Sequence, residues 1–149
     1  MHPYLKVFLL SLTPIGELRL SIPMGILAFK LPWLEVFLIS IVGNILPAII
    51  ILFLFEYMDH HFRKIALIDA LYTRLIDHSM KKKKLLAILG YIGLLIFVAI
   101  PAPGTGAWTG AFLAGLLGFK RIISLFAIFG GLIVSATIVT LTSMGIFHW

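Results

Sequence analysis

Not one of the 149 residues is a cysteine, so the chain has no disulfide framework, thiol nucleophile or thiolate metal site, and its redox compartment leaves no trace. Charge is nearly as scarce. Only 12% of residues are charged and just 6 are acidic, against about 25% charged in an ordinary soluble domain. No Ser-His-Asp set, HExxH motif or carboxylate pair at a plausible site occurs, so neither enzyme chemistry nor a cofactor is expected. His60 and His61 are adjacent and do not share a helix face, and His78 stands further on, so no metal site is expected. The opening "MHPYLKVFLLSLTP" has a short apolar run with no small-x-small cleavage site after it, and it reads as part of the fold rather than a cleaved signal.

What is present is apolar. Hydrophobic residues make up 61% of the chain and mean hydropathy is +1.12, which predicts an all-α integral membrane protein. Net charge is +6, but without interleaved basic and aromatic residues it reports orientation and anionic lipid rather than nucleic acid.

Two apolar stretches, Trp33–Phe55 and Ile122–Ile146, reach the roughly 20 residues that a bilayer crossing needs. The others are short and broken. Tyr4–Leu12 stops at Thr13-Pro14-Ile15-Gly16, and Ile22–Phe29 stops at Lys30-Leu31-Pro32. Leu85–Ile100 stops at "PAPGTGAW", and Thr109–Gly118 stops at Phe119-Lys120-Arg121. Short pairs interrupted by Pro and Gly suit re-entrant hairpins that dip into the membrane and return, with four or five ordinary short helices as the alternative.

The sequence also repeats. "GILAFK" (Gly25–Lys30) falls on "GLLGFK" (Gly115–Lys120), and Gly16 falls on Gly106 at the same offset. Small or polar residues recur at helical spacing in each long span: Ser40, Asn44, Ala48 and Ala127, Gly131, Ser135. The expected plan is a single membrane domain with repeat 1 at 1–55, a basic amphipathic linker at 56–84, and repeat 2 at 85–149. A hairpin plus one span crosses an odd number of times, so the second repeat is inverted relative to the first, as in many secondary transporters.

The linker holds Arg63, Lys64, Arg74 and Lys81 to Lys84, and Lys120 and Arg121 fall on the same side. By the positive-inside rule that side is expected to be the cytoplasm, with both termini outside or periplasmic. Apolar residues from Phe62 to Ile76 recur at helical intervals, which predicts an amphipathic helix on the membrane surface or against the spans. The Lys81 to Lys84 run reads first as an orientation signal, and as a binder of anionic headgroups second.

"GELRLSIP" (Gly16–Pro23) is the sharpest chemical signal. Glu17 and Arg19 at the bilayer centre cost roughly 5–7 kcal/mol together if exposed to lipid. Residues two apart diverge on a helix but share a side in an extended segment, and Pro14, Gly16 and Pro23 predict such a segment, with both side chains entering one wet cavity. An interfacial position, or an internal pair locking the hairpin, is the other reading. "PAPGTGAW" (Pro101–Trp108) is the counterpart. It resists helix, and the helix after it aims N–H groups at the cavity, a seat for an anion. It is neither a P-loop nor a dinucleotide fingerprint. Gly104, Thr105, Gly106, Trp108 and Thr109 are candidate substrate-binding residues, with Trp108 as a lid or an interfacial anchor. Gly106, Gly110, Ala114 and Gly118 also form a small-xxx-small packing stripe. Asn44 and Pro47 mark a polar, kinkable point in the first span, where Asn44 is expected to hydrogen-bond a neighbouring helix.

"GELRLSIP" early and "PAPGTGAWTG" late, around a basic linker, resemble the family of small multidrug export proteins, which is similar in turn to DedA-type membrane proteins. The resemblance covers nearly the whole chain. It implies a small bacterial or archaeal inner-membrane transporter with two re-entrant hairpins, and by the DedA likeness a function in translocating polyprenyl-phosphate carrier lipids. Only Glu17 and Arg19 carry over as functional residues, since "PAPGTGAWTG" lacks the arginine of the DedA pattern.

Three functions are expected to compete. The first is a proton-coupled transporter or flippase for an anionic amphiphile, where Arg19 grips the anion through paired hydrogen bonds and Glu17 carries its proton while the anion is bound. The second is efflux of lipophilic cationic drugs, which the fixed charge of Arg19 disfavours. The third is a non-transporting scaffold. Two full crossings hardly enclose a pathway, so a homodimer is expected, with Ala127, Gly131 and Ser135 or Gly110, Ala114 and Gly118 as its face or as packing within one chain. Membrane lipids are the other expected partners.

Overall fold

The computed structural model describes residues 1–62, 83–102 and 104–147, and the amphipathic linker helix expected from Phe62 to Ile76 lies almost wholly outside them. The described residues form six α-helices and no strand. Helix α1 is Pro3–Leu12. Helix α2 is Glu17–Pro23 and runs on into a π-helical turn, Met24–Ala28. Helix α3, Trp33–Phe62, is the first long one. Helices α4 (Lys83–Ala99) and α5 (Ala107–Leu116) precede the second long one, α6 (Arg121–Phe147).

Local chemistry explains the punctuation. Pro3 opens α1, where its missing N–H is no loss. Thr13 precedes Pro14 and is extended, which ends α1. Its hydroxyl donates to the Leu10 carbonyl at 2.8 Å and accepts the Gly16 N–H at 2.9 Å, so the break satisfies its own backbone. Pro23, expected to bound a non-helical segment, lies inside the helix instead. The preceding residues still reach the π turn, where hydrogen bonding shifts register to absorb the missing donor.

The repeated motifs both end a short helix, the first through a π-helical turn and the second at the end of an α-helix. Gly16 and Gly106 are each the N-cap of the second short helix of their half. The N–H of Phe29 bonds the Met24 carbonyl, and the N–H of Phe119 bonds the Ala114 carbonyl, both at 2.9 Å. "GILAFK" and "GLLGFK" are therefore helix stops, followed by the two long helices.

Those helices are long and apolar enough to cross a bilayer, over Trp33–Tyr57 and Arg121–Gly145. One face of each is buried, carrying Val36, Ser40, Asn44, Ala48 and Ile51 in α3 and Ile128, Leu132, Ser135 and Val139 in α6. The opposite face of α3 exposes Leu34, Leu38, Val42, Leu46, Ile50 and Phe53. A continuous apolar stripe of that length is unsustainable in water and natural against lipid chains. The protein is a membrane protein on these grounds.

Close contacts fix the register of the short helices. A Cβ on Gly25 would meet Val36, and the Ser21 hydroxyl donates to that of Ser40 at 2.9 Å, so α2 runs antiparallel to α3. In α1, Ser11 packs on Gly43. The break 13–16 is thus level with Gly43 and Asn44, beside Ile45, the middle residue of the Trp33–Tyr57 stretch. In the second half Tyr91 meets Phe119, and Leu95 and Val98 meet Gly131, so α4 runs alongside α6 and the break 100–106 lies level with the middle of Arg121–Gly145. Helix α5 packs Phe112 and Gly115 on Phe55 of α3, which returns its N-terminus to the level of Asn44 and Pro47.

The face containing Ala127, Gly131 and Ser135 is buried within the chain, with Gly131 against the Leu95 backbone, and Gly110 and Ala114 are buried too. Gly118 does not extend that stripe. It lies exposed past the end of α5 at φ 71°, the left-handed conformation that closes a helix.

Candidate functional site: two helix breaks joined at mid-depth

Glu17 and Arg19 lie in the first turn of α2, not in an extended segment. Helical residues two apart ordinarily diverge, yet here Arg19 Nη2 stands 3.8 Å from Glu17 Oε2. Glu17 has φ 39°, a left-handed conformation at the junction of break and helix. That turn, with the length of the arginine side chain, brings the charges together. A left-handed non-glycine residue costs roughly 1–2 kcal/mol, so the surrounding contacts must hold it.

Those contacts come from the other half of the chain. The Glu17 carboxylate lies against the N-terminus of α5, at Gly106. Gly106 caps that helix, and any Cβ there would collide with the same carboxylate. Arg19 Nη2 donates to Thr105 Oγ1 at 3.1 Å. Thr105 in turn knits its own break, within 2.6 Å of the Ile100 carbonyl and 2.7 Å of the Ala102 carbonyl, while accepting the Ala102 N–H. The Trp108 indole N–H donates at 3.1 Å to the carbonyl of Leu12, the last residue of α1.

Glu17, Arg19, Thr105, Gly106 and Trp108 thus meet in one place, between residues some ninety positions apart. The Trp108 ring links the second break to the end of α1. Gly104 is exposed at φ 82° with open space around it, so it shapes the turn without touching the pair. Thr109 is half-buried one residue beyond Trp108, and its hydroxyl has no hydrogen-bond partner among the described residues. At the repeat offset Thr109 stands where Arg19 stands in the first half.

At the α5 N-terminus, where the sequence predicts a seat for an anion, lies a carboxylate of the chain itself. That carboxylate is Glu17, with the helix dipole and Arg19 as joint counter-charges. Among the described residues no cluster of His, Cys, Asp or Glu is able to hold a metal ion. Two further side chains matter at this level, one with no role expected from the sequence and one placed differently from expectation. Thr13 closes the first break, signalled only by its place before Pro14. Asn44, expected to pair with a neighbouring helix, is 1% exposed and its carbonyl oxygen has no partner.

The profile of a family described as "Putative small multi-drug export protein" matches residues 17–138, from Glu17 through the second break and well into α6. The chain belongs to this family. The small multi-drug export match begins on Glu17 and contains every other residue of the mid-depth cluster except the Leu12 carbonyl. No curated protein and no solved structure matches the chain.

Proposed function

We propose that the protein is a proton-coupled membrane transporter, acting by transport rather than catalysis, that moves an anionic amphiphile of the polyprenyl-phosphate class past Glu17 and Arg19. In this reading α1–α2 and α4–α5 are re-entrant hairpins in two inverted repeats. The end of the bundle carrying Lys120 and Arg121 faces the cytoplasm of a plasma membrane, and two copies of the chain work as a homodimer. The observation that carries the reading is the Glu17–Arg19 pair held against Thr105 and the α5 N-terminus, level with the middle of both long helices. Charged groups at such depth are costly and belong to functional pathways.

The arrangement supports a specific exchange. With the site empty, the Glu17 carboxylate occupies the α5 N-terminus beside Arg19. A phosphate headgroup competes for the same donors, and two anions in a low-dielectric pocket do not share them. A proton on Glu17 frees the α5 N-terminus and the guanidinium, and the headgroup takes them through paired hydrogen bonds. Loss of the proton on the other face returns Glu17 to its seat and expels the anion. Efflux of a lipophilic cation, the alternative, is disfavoured because the carboxylate that would attract it already faces Arg19 and the α5 N-terminus.

The test is flux through purified protein in proteoliposomes, with farnesyl phosphate and tetraphenylphosphonium followed in parallel. Wild type is expected to move the phosphate faster under a pH gradient. Arg19→Lys is expected to lose about tenfold or more of that flux, and Glu17→Gln its dependence on the gradient. Movement of the cation alone would establish cation efflux instead. If neither compound moves and both variants fold normally, the web of contacts between the two breaks is a structural lock in a scaffold.

A further inference from the structure

Asn44 is the one amide side chain in the apolar core of α3, and it is almost completely buried. Its Oδ1 atom has no hydrogen-bond partner, and among the described residues its amide nitrogen makes no hydrogen bond either. A buried serine or threonine hydroxyl on a helix is able to turn back to the carbonyl four residues earlier, as Ser143 does to Val139 at 2.7 Å. An asparagine amide at a helical position has no such local refuge. It demands a partner from elsewhere or leaves a costly orphan in a membrane interior.

The register of α2 on α3 says what the amide faces. Gly25 meets Val36 and Ser21 bonds Ser40, so each step back along α2 is matched by a step forward along α3. One further turn on the same two helical faces sets Glu17 opposite Asn44. Helix α5 independently brings its N-terminus to this level, through Gly115 and Phe112 on Phe55. Three residues beyond Asn44, Pro47 has no N–H to give the Gly43 carbonyl, so α3 is itself short of a donor at this depth.

We propose that Asn44 is a ligand-contacting residue of the mid-depth site, its amide hydrogen-bonding the headgroup of the bound anion from the α3 side. The inference rests on the transport reading above and extends it to specificity. Arg19 and the α5 N-terminus only donate, and so recognise any anion. Asn44 alone offers a carbonyl acceptor beside an N–H₂ donor. That combination fits a phosphate monoester, whose P–OH donates a hydrogen bond to Oδ1 while a phosphoryl oxygen accepts one from the amide nitrogen. A phosphate diester has no P–OH and loses half of the match. Sites built to bind a hydroxyl discriminate strongly against analogues lacking it, because their own polar group is stranded.

The experiment measures binding of farnesyl phosphate and of its methyl diester to detergent-purified wild type, Asn44→Leu, Asn44→Ala and Arg19→Lys, alongside the ligand-free melting temperature. Wild type is expected to favour the monoester by about tenfold or more. Asn44→Leu is expected to lose that preference while keeping the diester affinity, and to melt higher than wild type without ligand, because a stranded polar group is gone. Asn44→Ala, which adds no bulk, is expected to lose the preference too. Arg19→Lys is expected to weaken both ligands. An Asn44→Leu or Asn44→Ala variant that still prefers the monoester overturns the inference and leaves the Arg19 site standing. So does a marked fall in melting temperature in both Asn44 variants, since the amide would then be holding the fold. Wild type that binds neither phosphate overturns the transport reading, and this inference with it.

Discussion

Gly106 and Gly104 separate two reasons for a glycine. At Gly106 a Cβ would strike the Glu17 carboxylate, whereas at Gly104 the space is open and only the φ of 82° resists a side chain. Gly106→Ala is expected to unseat Glu17 and cut phosphate flux in proteoliposomes by about tenfold, with circular dichroism unchanged. Gly104→Ala is expected to cost only about 1 kcal/mol of strain, seen as a small drop in melting temperature with flux intact. The buried Ser21–Ser40 hydrogen bond gives a second residue-scale expectation. Either alanine variant strands the other hydroxyl, so in a double-mutant cycle read by thermal unfolding the double variant should cost less than the two singles combined, by about 0.6 kcal/mol. Glu17 and Arg19 were visible in the sequence because charge at that depth has no cheap explanation. Their partners Thr105 and Trp108 were only members of a suspicious segment, since a pairing across ninety residues leaves no local mark.

Helix packing turns on which glycines are backs of contacts. Gly131 in α6 approaches the Leu95 backbone carbonyl, where an added Cβ would sit 2.7 Å away, and Gly93 in α4 meets nothing within 4 Å. Gly131→Ala is therefore expected to lower stability by about 1–3 kcal/mol through overpacking against an immovable backbone. Gly93→Ala is expected to raise it by about 0.5–1 kcal/mol from helix propensity alone. Thermal melts in one detergent decide both. The small-residue spacing in α6 announced a close approach, but it did not say whether the neighbour was a second chain or this one. The structure assigns that face to α4. The extended segment expected around Glu17 failed for a comparable reason. Proline counting cannot tell a break from a helix that absorbs Pro23 through a π turn, because hydrogen bonds of the neighbouring turn settle the matter.

For the whole molecule, the decisive expectation is topological. The chain has no cysteine, so single-cysteine variants report one position each. With re-entrant hairpins in inverted repeats, a membrane-impermeant maleimide should label Pro32→Cys from outside only and Leu117→Cys from the cytoplasm only. Ile15→Cys, at the tip of the first hairpin, should resist the impermeant reagent from both sides in membranes and react with a small permeant one. Free labelling of Ile15→Cys from the cytoplasmic face would instead mean that α1 and α2 span the bilayer separately. Such an outcome would remove the Glu17–Arg19 pair from mid-depth. Helix length already weighs against it, because α1 has 10 residues and about 20 are needed to cross.

The sequence by itself determined the solvent, the class and the punctuation. Composition demanded lipid, run length distinguished the two long helices from the short ones, and the paired motifs marked equivalent stops, because each of these is a local or additive property of the chain. Tertiary structure decided what the charges are for. Only the packing of α5 against α3 and of α2 against α6 brings the N-terminus of one broken helix onto the carboxylate of the other, seats Thr105 on Arg19, and leaves Asn44 without a partner at the same level. Those are relations between surfaces, fixed by register and close approach, and no stretch of sequence contains both sides of them.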